Sequence, residues 1–179
     1  MKTSLLSTIV LVLCIAGGPL RGGEPKVGEQ APDFTLPFAT KDTIVFSGLN
    51  LSSEIGKRVI VLAFYPANWS GGCTKEMCTM RDEFGGLAKL NATVYGISGD
   101  YVYSHHEWAR QLGLPFPLLS DHNHEVARRY QSYNETTGYN RRTVFVIDRQ
   151  GRIAYMDLEY KVSTPDSFQK LKAALASLQ

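Results

Sequence analysis

The sequence predicts an α/β fold: a mixed central β-sheet flanked by helices, with an N-terminal β-hairpin extension. Three observations carry this expectation. "RVIVLAFY" (Arg58–Tyr65) is a continuous apolar run of strand length, as expected of a strand covered on both faces. Strand-like and helix-like segments alternate after it. Late in the chain, "RTVFVID" and "RIAYMDL" flank "RQG", a glycine-containing turn that reads as a hairpin.

Taken in order, "DFTL" and "TIVF" are short β-branched or aromatic pieces that form the N-terminal hairpin, and "NLSSEIG" allows one helical turn. Pro66 cannot continue the central strand, so the chain turns there. From Cys73 to Leu90, Met77, Met80, Phe84, Leu87 and Leu90 recur at spacings of three and four, which predicts one helix with one buried stripe. "TVYGIS" is a second buried strand. "SHHEWARQLGL" predicts a helix with Ser104 as N-cap and Glu107 as its capping-box partner, ending at Gly113. "EVARRYQSY" is a shorter helix. The chain closes on an amphipathic helix with Pro165 at its start and Phe168, Leu171, Leu175 and Leu178 on one side.

With 179 residues, 44% apolar and 20% charged, this is the composition of one ordinary globular domain. A formal charge of +2 without a basic run argues against nucleic-acid binding. The N-terminus reads differently. Lys2 precedes an apolar run from Leu5 to Ala16, and small residues follow at Ala16, Gly17 and Gly18. Residues 1–18 are therefore expected to be a signal peptide, too short in apolar length to span a bilayer, which needs ~20 residues. The alternative is a lipid anchor at Cys14, against which bulky Leu13 argues. Residues 19–30 read as a Gly/Pro-rich linker, and the domain as 31–179. The expected location is periplasmic or extracellular, in a bacterium. Removing residues 1–23 takes away Lys2 and Arg21 and leaves a charge near zero, with two cysteines in a compartment that permits disulfides.

Those two cysteines lie in "FYPANWSGGCTKEMC" (Phe64–Cys78). Cys73 falls within the first turn of a helix that follows a buried strand, where unpaired N–H groups and the helix dipole favour an anion such as a thiolate. Gly71 and Gly72 leave room for a small substrate to approach the backbone. The other reading of Cys73 is a buried, inert thiol. Cys78 follows five residues later. In an intact helix the two Cα atoms would be ~8.6 Å apart, beyond the ~7 Å a disulfide spans, so pairing requires the first turn to unwind. A zinc site would need two more ligands, and His105, His106, His122 and His124 do not stand at zinc-finger spacing. They read as solvated surface, and neither a metal nor a cofactor is expected.

These residues resemble a peroxiredoxin of the alkyl hydroperoxide reductase/thiol-specific antioxidant family. Pro66, Ser70 and Cys73 match its Pro-x-x-x-Thr/Ser-x-x-Cys pattern. Cys78 matches the resolving position of the Q-type, or bacterioferritin comigratory protein-like, subgroup. "GEQAPDFTL", "GISGD", "LPFPLLSD" and "RTVFVIDRQGRI" extend the likeness from about Val27 to Leu178. The resemblance implies a thioredoxin-like fold and a thiol peroxidase acting on hydrogen peroxide or organic hydroperoxides. It implies that Cys73 attacks the peroxide, Ser70 holds it and Pro66 shields the nucleophile. Arg142 would stabilise the thiolate, and Glu76 would orient that arginine. Strand alternation would turn neighbouring Arg141 away. A Cys73–Cys78 disulfide and reduction by a thioredoxin-like or other thiol donor are implied as well, in a monomer or homodimer.

Ser70 and Gly71 depart from the commoner Thr and Pro, and Gly71 and "YNETTGYNRRTVFVIDRQG" are similar to one-cysteine relatives. In that case Cys78 is a buried helix residue and a partner thiol resolves the intermediate. Two further readings are a thioredoxin-like disulfide oxidoreductase, disfavoured by four intervening residues, and a copper-handling or redox-sensing protein. Four Asn-x-Ser/Thr sequons, at Asn50, Asn68, Asn91 and Asn134, have meaning only in a eukaryotic secretory pathway. A glycan at Asn68 would crowd the site.

Overall fold

The computed structural model describes residues 24–179. The expected signal peptide and Cys14 lie outside the described residues. Seven strands make one sheet: β1 (Thr35–Ala39), β2 (Ile44–Asn50), β3 (Val59–Phe64), β4 (Ala92–Ser98), β5 (Leu118–Ser120), β8 (Thr143–Ile147) and β9 (Ile153–Asp157), in the order β2-β1-β5-β4-β3-β8-β9. A two-stranded ribbon, β6 (Tyr133–Asn134) with β7 (Tyr139–Asn140), stands apart. β3 runs parallel to β4 and antiparallel to β8, so the sheet is mixed, as expected. The N-terminal hairpin joins it through antiparallel pairing of β1 with β5.

All six residues of β3 are buried because both faces of the sheet are covered. Strand alternation splits them. Val59, Val61 and Ala63 pack with Met77, Met80, Trp108, Leu171 and Leu175 on one face. Ile60, Leu62 and Phe64 pack with Leu51, Val126 and Tyr130 on the other. The first face carries α1 (Gly71–Asp82), α2 (Phe84–Lys89), α3 (Val102–Leu112) and α5 (Asp166–Ala176); the second carries α4 (Glu125–Arg129).

The helix expected from Cys73 to Leu90 is two helices. Glu83 ends α1 and begins α2 at φ −91°. Gly85 and Gly86 weaken helix continuation here, and the break still lets Leu87 bury at 1% exposure while Phe84 packs on Phe116. α3 also differs. It starts at Val102 with Tyr101 as the cap residue, so Ser104 lies inside the first turn and the Ser104–Glu107 capping box does not form. Ser104 Oγ is occupied by other donors, and Glu107 pairs with Arg110 at 2.6 Å. Gly113 ends the helix in the left-handed conformation, φ 63°. Upstream, Gly28 N donates to Ile153 O and Ala31 N to Gly151 O, so ordered backbone begins a few residues before Ala31.

Candidate active site

β3 delivers the chain to Pro66, and α1 begins at Gly71. Ser70 is the N-cap of α1, with extended backbone, and its Oγ accepts from Cys73 N at 3.4 Å. Cys73 is fully buried. Its sulfur accepts a hydrogen bond from Arg142 Nη2 at 3.3 Å. Arg142 Nη1 donates to Glu76 Oε2 at 2.6 Å. One guanidinium therefore bridges the thiol and a carboxylate whose side chain is 0% exposed. Glu76 stands one turn after Cys73, so both face the core side of α1.

The backbone of Arg142 is held from the C-terminal segment, where Tyr160 N donates to the Arg142 carbonyl. Arg141 is tied by its own N–H to the Ser132 carbonyl, and it is exposed. Both arginines precede β8, which begins at Thr143, yet the side chains diverge as alternation predicts: of the two, Arg142 reaches the cysteine. Gly72 has a role that differs from expectation. A Cβ there would lie 2.6 Å from Arg142 Nη2, so the guanidinium occupies the space a side chain would need. Gly71 has nothing within 4 Å of its would-be Cβ and keeps the openness expected of both glycines.

Burial raises the Glu76 carboxyl to about 7, against the opposing pull of Arg142. Its Oε1 is buried and without a hydrogen-bond partner among the described residues. At Arg142, burial works against the charge, but Glu76 and Cys73 outweigh it and raise the guanidinium further. The two partners respond in different senses because Glu76 is wholly enclosed and Arg142 is partly exposed. The ionised pair prevails above about neutral pH, and Glu76 accepts a proton below it.

Pro66 is half-buried and lines a small cavity of about 120 Å3 with Ala67, Gly99, Asp100, His124 and Tyr139. Cys78 is half-buried on the same unbroken α1 as Cys73, and both thiols are free. The histidines are not a uniform solvated set. His122 is exposed and His106 and His124 are half-buried, but His105 has 0% exposure. Its Nε2 lies 3.1 Å from Leu119 O and its Nδ1 3.0 Å from Asn68 Nδ2. Burial lowers its imidazole to about 4 despite nearby Asp100. His105 shares a helical stripe with Val102, Trp108 and Ala109, and that spacing was the available signal. Asn68 and Tyr65, in contact with His105, carry no periodic signal at all.

A buried thiol at a helix start, capped by a hydroxyl and bridged by guanidinium to a carboxylate, describes a thiol-based redox enzyme. Residues 27–156 match the AhpC/TSA family. The chain is 31% identical over 155 residues to peroxiredoxin Bcp of Bacillus subtilis, covering 82% of this chain and 95% of that one. It is 37% identical over 135 residues to the chloroplastic peroxiredoxin Q of Triticum aestivum, covering 75% and 59% respectively. Its fold superimposes on the crystal structure of peroxidoxin BcpB from Mycobacterium tuberculosis with a TM-score of 0.76 at 30% identity, covering 87% of this chain and 99% of that one. The chain belongs to the AhpC/TSA family, in its Q-type, Bcp-like branch. It has the thioredoxin-like fold of that family and is a thiol-dependent peroxidase.

Proposed function

We propose that Cys73 is the thiol that attacks the peroxide and that Cys78 resolves the product within the same chain. The observation that carries this reading is the Nη2–Sγ contact of 3.3 Å, made by a guanidinium anchored on Glu76 at 2.6 Å. The fixed positive charge beside the sulfur faces the negative charge that moves from sulfur to oxygen during attack.

In the cycle, the Cys73 thiolate attacks one peroxide oxygen and the O–O bond breaks. The second oxygen leaves as water or alcohol after taking a proton, and Cys73 becomes a sulfenic acid. Ser70 Oγ, at the mouth of the helix, holds the peroxide, and Pro66 restricts water. Cys78 then attacks the sulfenic sulfur, water leaves, and a disulfide forms. Because both cysteines ride on one helix, this step unwinds the first turn of α1. A dithiol donor of the thioredoxin type reduces the disulfide by exchange. Both thiols belong to one chain, so a monomer suffices, and a homodimer is equally compatible. We place the enzyme outside the cytoplasm of a bacterium, on the apolar N-terminal run and its small-residue end.

Stopped-flow peroxide consumption tests the assignment. Cys73→Ser is expected to abolish turnover, and retention of the unmodified rate would overturn it.

A further inference from the structure

Under the loop from Tyr65 to Ser70 lies a polar cluster that the cycle above does not use. His105 is at its centre. Leu119 O can only accept, so the Nε2 3.1 Å away carries the imidazole proton. The neutral ring then offers Nδ1 as an acceptor, and Asn68 Nδ2 lies 3.0 Å from it. The other end of that amide is fixed too, because Tyr65 Oη donates to Asn68 Oδ1 at 2.8 Å. Asn68 Nδ2 also donates to Ser104 Oγ at 2.8 Å, and the same hydroxyl accepts from Trp69 Nε1 at 3.1 Å. Asn68 N donates to Asp100 Oδ2 at 2.8 Å, a carboxylate held in turn by Ser98 Oγ at 2.7 Å.

These contacts converge on a strained turn. Trp69 has φ +65°, a conformation that a residue with a β-carbon adopts only when its surroundings impose it. The next residue is Ser70, whose Oγ faces the Cys73 amide. The backbone of Asn68, both ends of its side chain and the indole of Trp69 are all fixed just before that hydroxyl.

We propose that His105 is a positioning residue for the peroxide reaction: its imidazole holds Asn68, and through Asn68 the Trp69–Ser70 turn, over Cys73. This rests on Cys73 being the attacking thiol. His105 touches neither peroxide nor sulfur. It sets where the Ser70 hydroxyl stands, while Arg142, anchored on Glu76, contacts the thiol itself. The two functions are therefore separable.

The separation supplies the test. Three variants are compared with the unmodified protein: His105→Phe, which fills the ring volume without polar atoms; His105→Asn, which returns an oxygen near the Nδ1 position; and Asn68→Ala. Each is measured for peroxide reduction in stopped flow, for alkylation of Cys73 by iodoacetamide, and for thiolate ultraviolet absorbance. His105→Phe and Asn68→Ala are expected to slow peroxide reduction by between about tenfold and a hundredfold, the range expected when a reacting group is misplaced. Alkylation and thiolate absorbance are expected to stay within about twofold. His105→Asn is expected to recover most of the rate. The double variant His105→Phe/Asn68→Ala is expected to be no slower than the worse single, because the two residues act on one path.

An unchanged peroxide rate in folded His105→Phe overturns the proposal. So does a parallel loss of alkylation, or multiplication of the two single effects in the double variant. If His105→Phe does not fold, Asn68→Ala decides alone, since it leaves the imidazole in place. Cys73→Ser is run alongside. Activity in that variant would fail the parent reading, whereas an inactive Cys73→Ser with unaffected His105 variants would fail only this proposal.

Discussion

Arg142 and Gly72 are packed so that no β-carbon fits between them: the guanidinium Nη2 lies 2.6 Å from where one would stand. The same nitrogen is the donor to Cys73 Sγ. The absence of a side chain at position 72 therefore sets how close the positive charge can approach the thiol.

Gly72→Ala should separate stability from activity. Alanine is favoured over glycine inside a helix by roughly 0.5–1 kcal/mol, which offsets part of what the displaced guanidinium loses, so the thermal midpoint should fall only slightly. The guanidinium is the far end of a flexible side chain and will move. Losing a charged hydrogen bond of about 1.5–3 kcal/mol should lower the peroxide rate constant by about tenfold or more. Stopped-flow kinetics beside thermal unfolding reads both; an unchanged rate would show that the Nη2 contact is dispensable.

Glu76 and His105 should act on stability with opposite pH dependence. The Glu76 carboxyl is raised by burial to about 7 from 4.5, so its contribution is intact below about pH 4.5 and is lost as pH rises through 7. His105 is lowered by burial to about 4 from 6.5, so its contribution is intact above about pH 6.5 and is lost as pH falls through 4. Each displacement corresponds to roughly 3 kcal/mol, so in the unmodified protein they largely cancel between about pH 4.5 and 6.5. Glu76→Gln removes one side of the balance. Its unfolding free energy should climb with pH across that window more steeply than that of the unmodified protein, on the order of 3 kcal/mol. Urea titrations at several pH values check this, and parallel curves for the two proteins would refute it.

Ser70 caps α1, and one pair of substitutions can test its proposed second task in the reaction. Its Oγ caps the Cys73 amide, and removing a serine cap costs about 1 kcal/mol. Ser70→Ala should lose that stability and also slow peroxide reduction. Ser70→Thr, which keeps the hydroxyl and adds a methyl that restricts its rotamer, should retain both. Equal rates for the alanine and threonine variants would remove the hydroxyl from the reaction.

For Cys78, the test is the fate of the oxidised intermediate. After one equivalent of peroxide, intact-mass spectrometry of the unmodified protein should show loss of two hydrogens. Cys78→Ser should hold a sulfenic acid at Cys73. Amide hydrogen exchange across Gly71–Cys78 should accelerate on oxidation in the unmodified protein and not in Cys78→Ser. A persistent sulfenic acid in both proteins would assign resolution to a partner thiol.

The sequence was most informative where one local rule dominates. β3 announces itself because burial on both faces leaves no polar residue in it. The late β8–β9 hairpin and the helix stop at Gly113 follow from turn chemistry. Glu76 came from the family resemblance, and its place one turn beyond Cys73 on α1 is consistent with helical spacing. What stayed hidden depends on distant partners. Ser104 looked like an N-cap because nothing local shows that its hydroxyl is claimed by Asn68 and Trp69, more than thirty residues earlier. The break at Glu83 was hidden by an apolar stripe that keeps its register through it, with Gly85 and Gly86 as the local hint. His105 was misjudged for the company it keeps in sequence, "SHHE", although its stripe with Val102 and Trp108 points inward.

The enclosure of Asn68 also bears on how this protein should be produced. Asn68 heads the tripeptide Asn-Trp-Ser, yet only 5% of the residue is exposed, and its amide nitrogen lies within hydrogen-bond reach of both Ser104 and His105. In a yeast or mammalian secretion host, oligosaccharyltransferase meets the chain before it folds, when that nitrogen is still free. A sugar joined there would replace a hydrogen the folded loop uses, and it would have no space to leave by. Such a batch would keep every cysteine and still fail to close the turn in front of Cys73, so weak activity from that source would reflect the host rather than the enzyme.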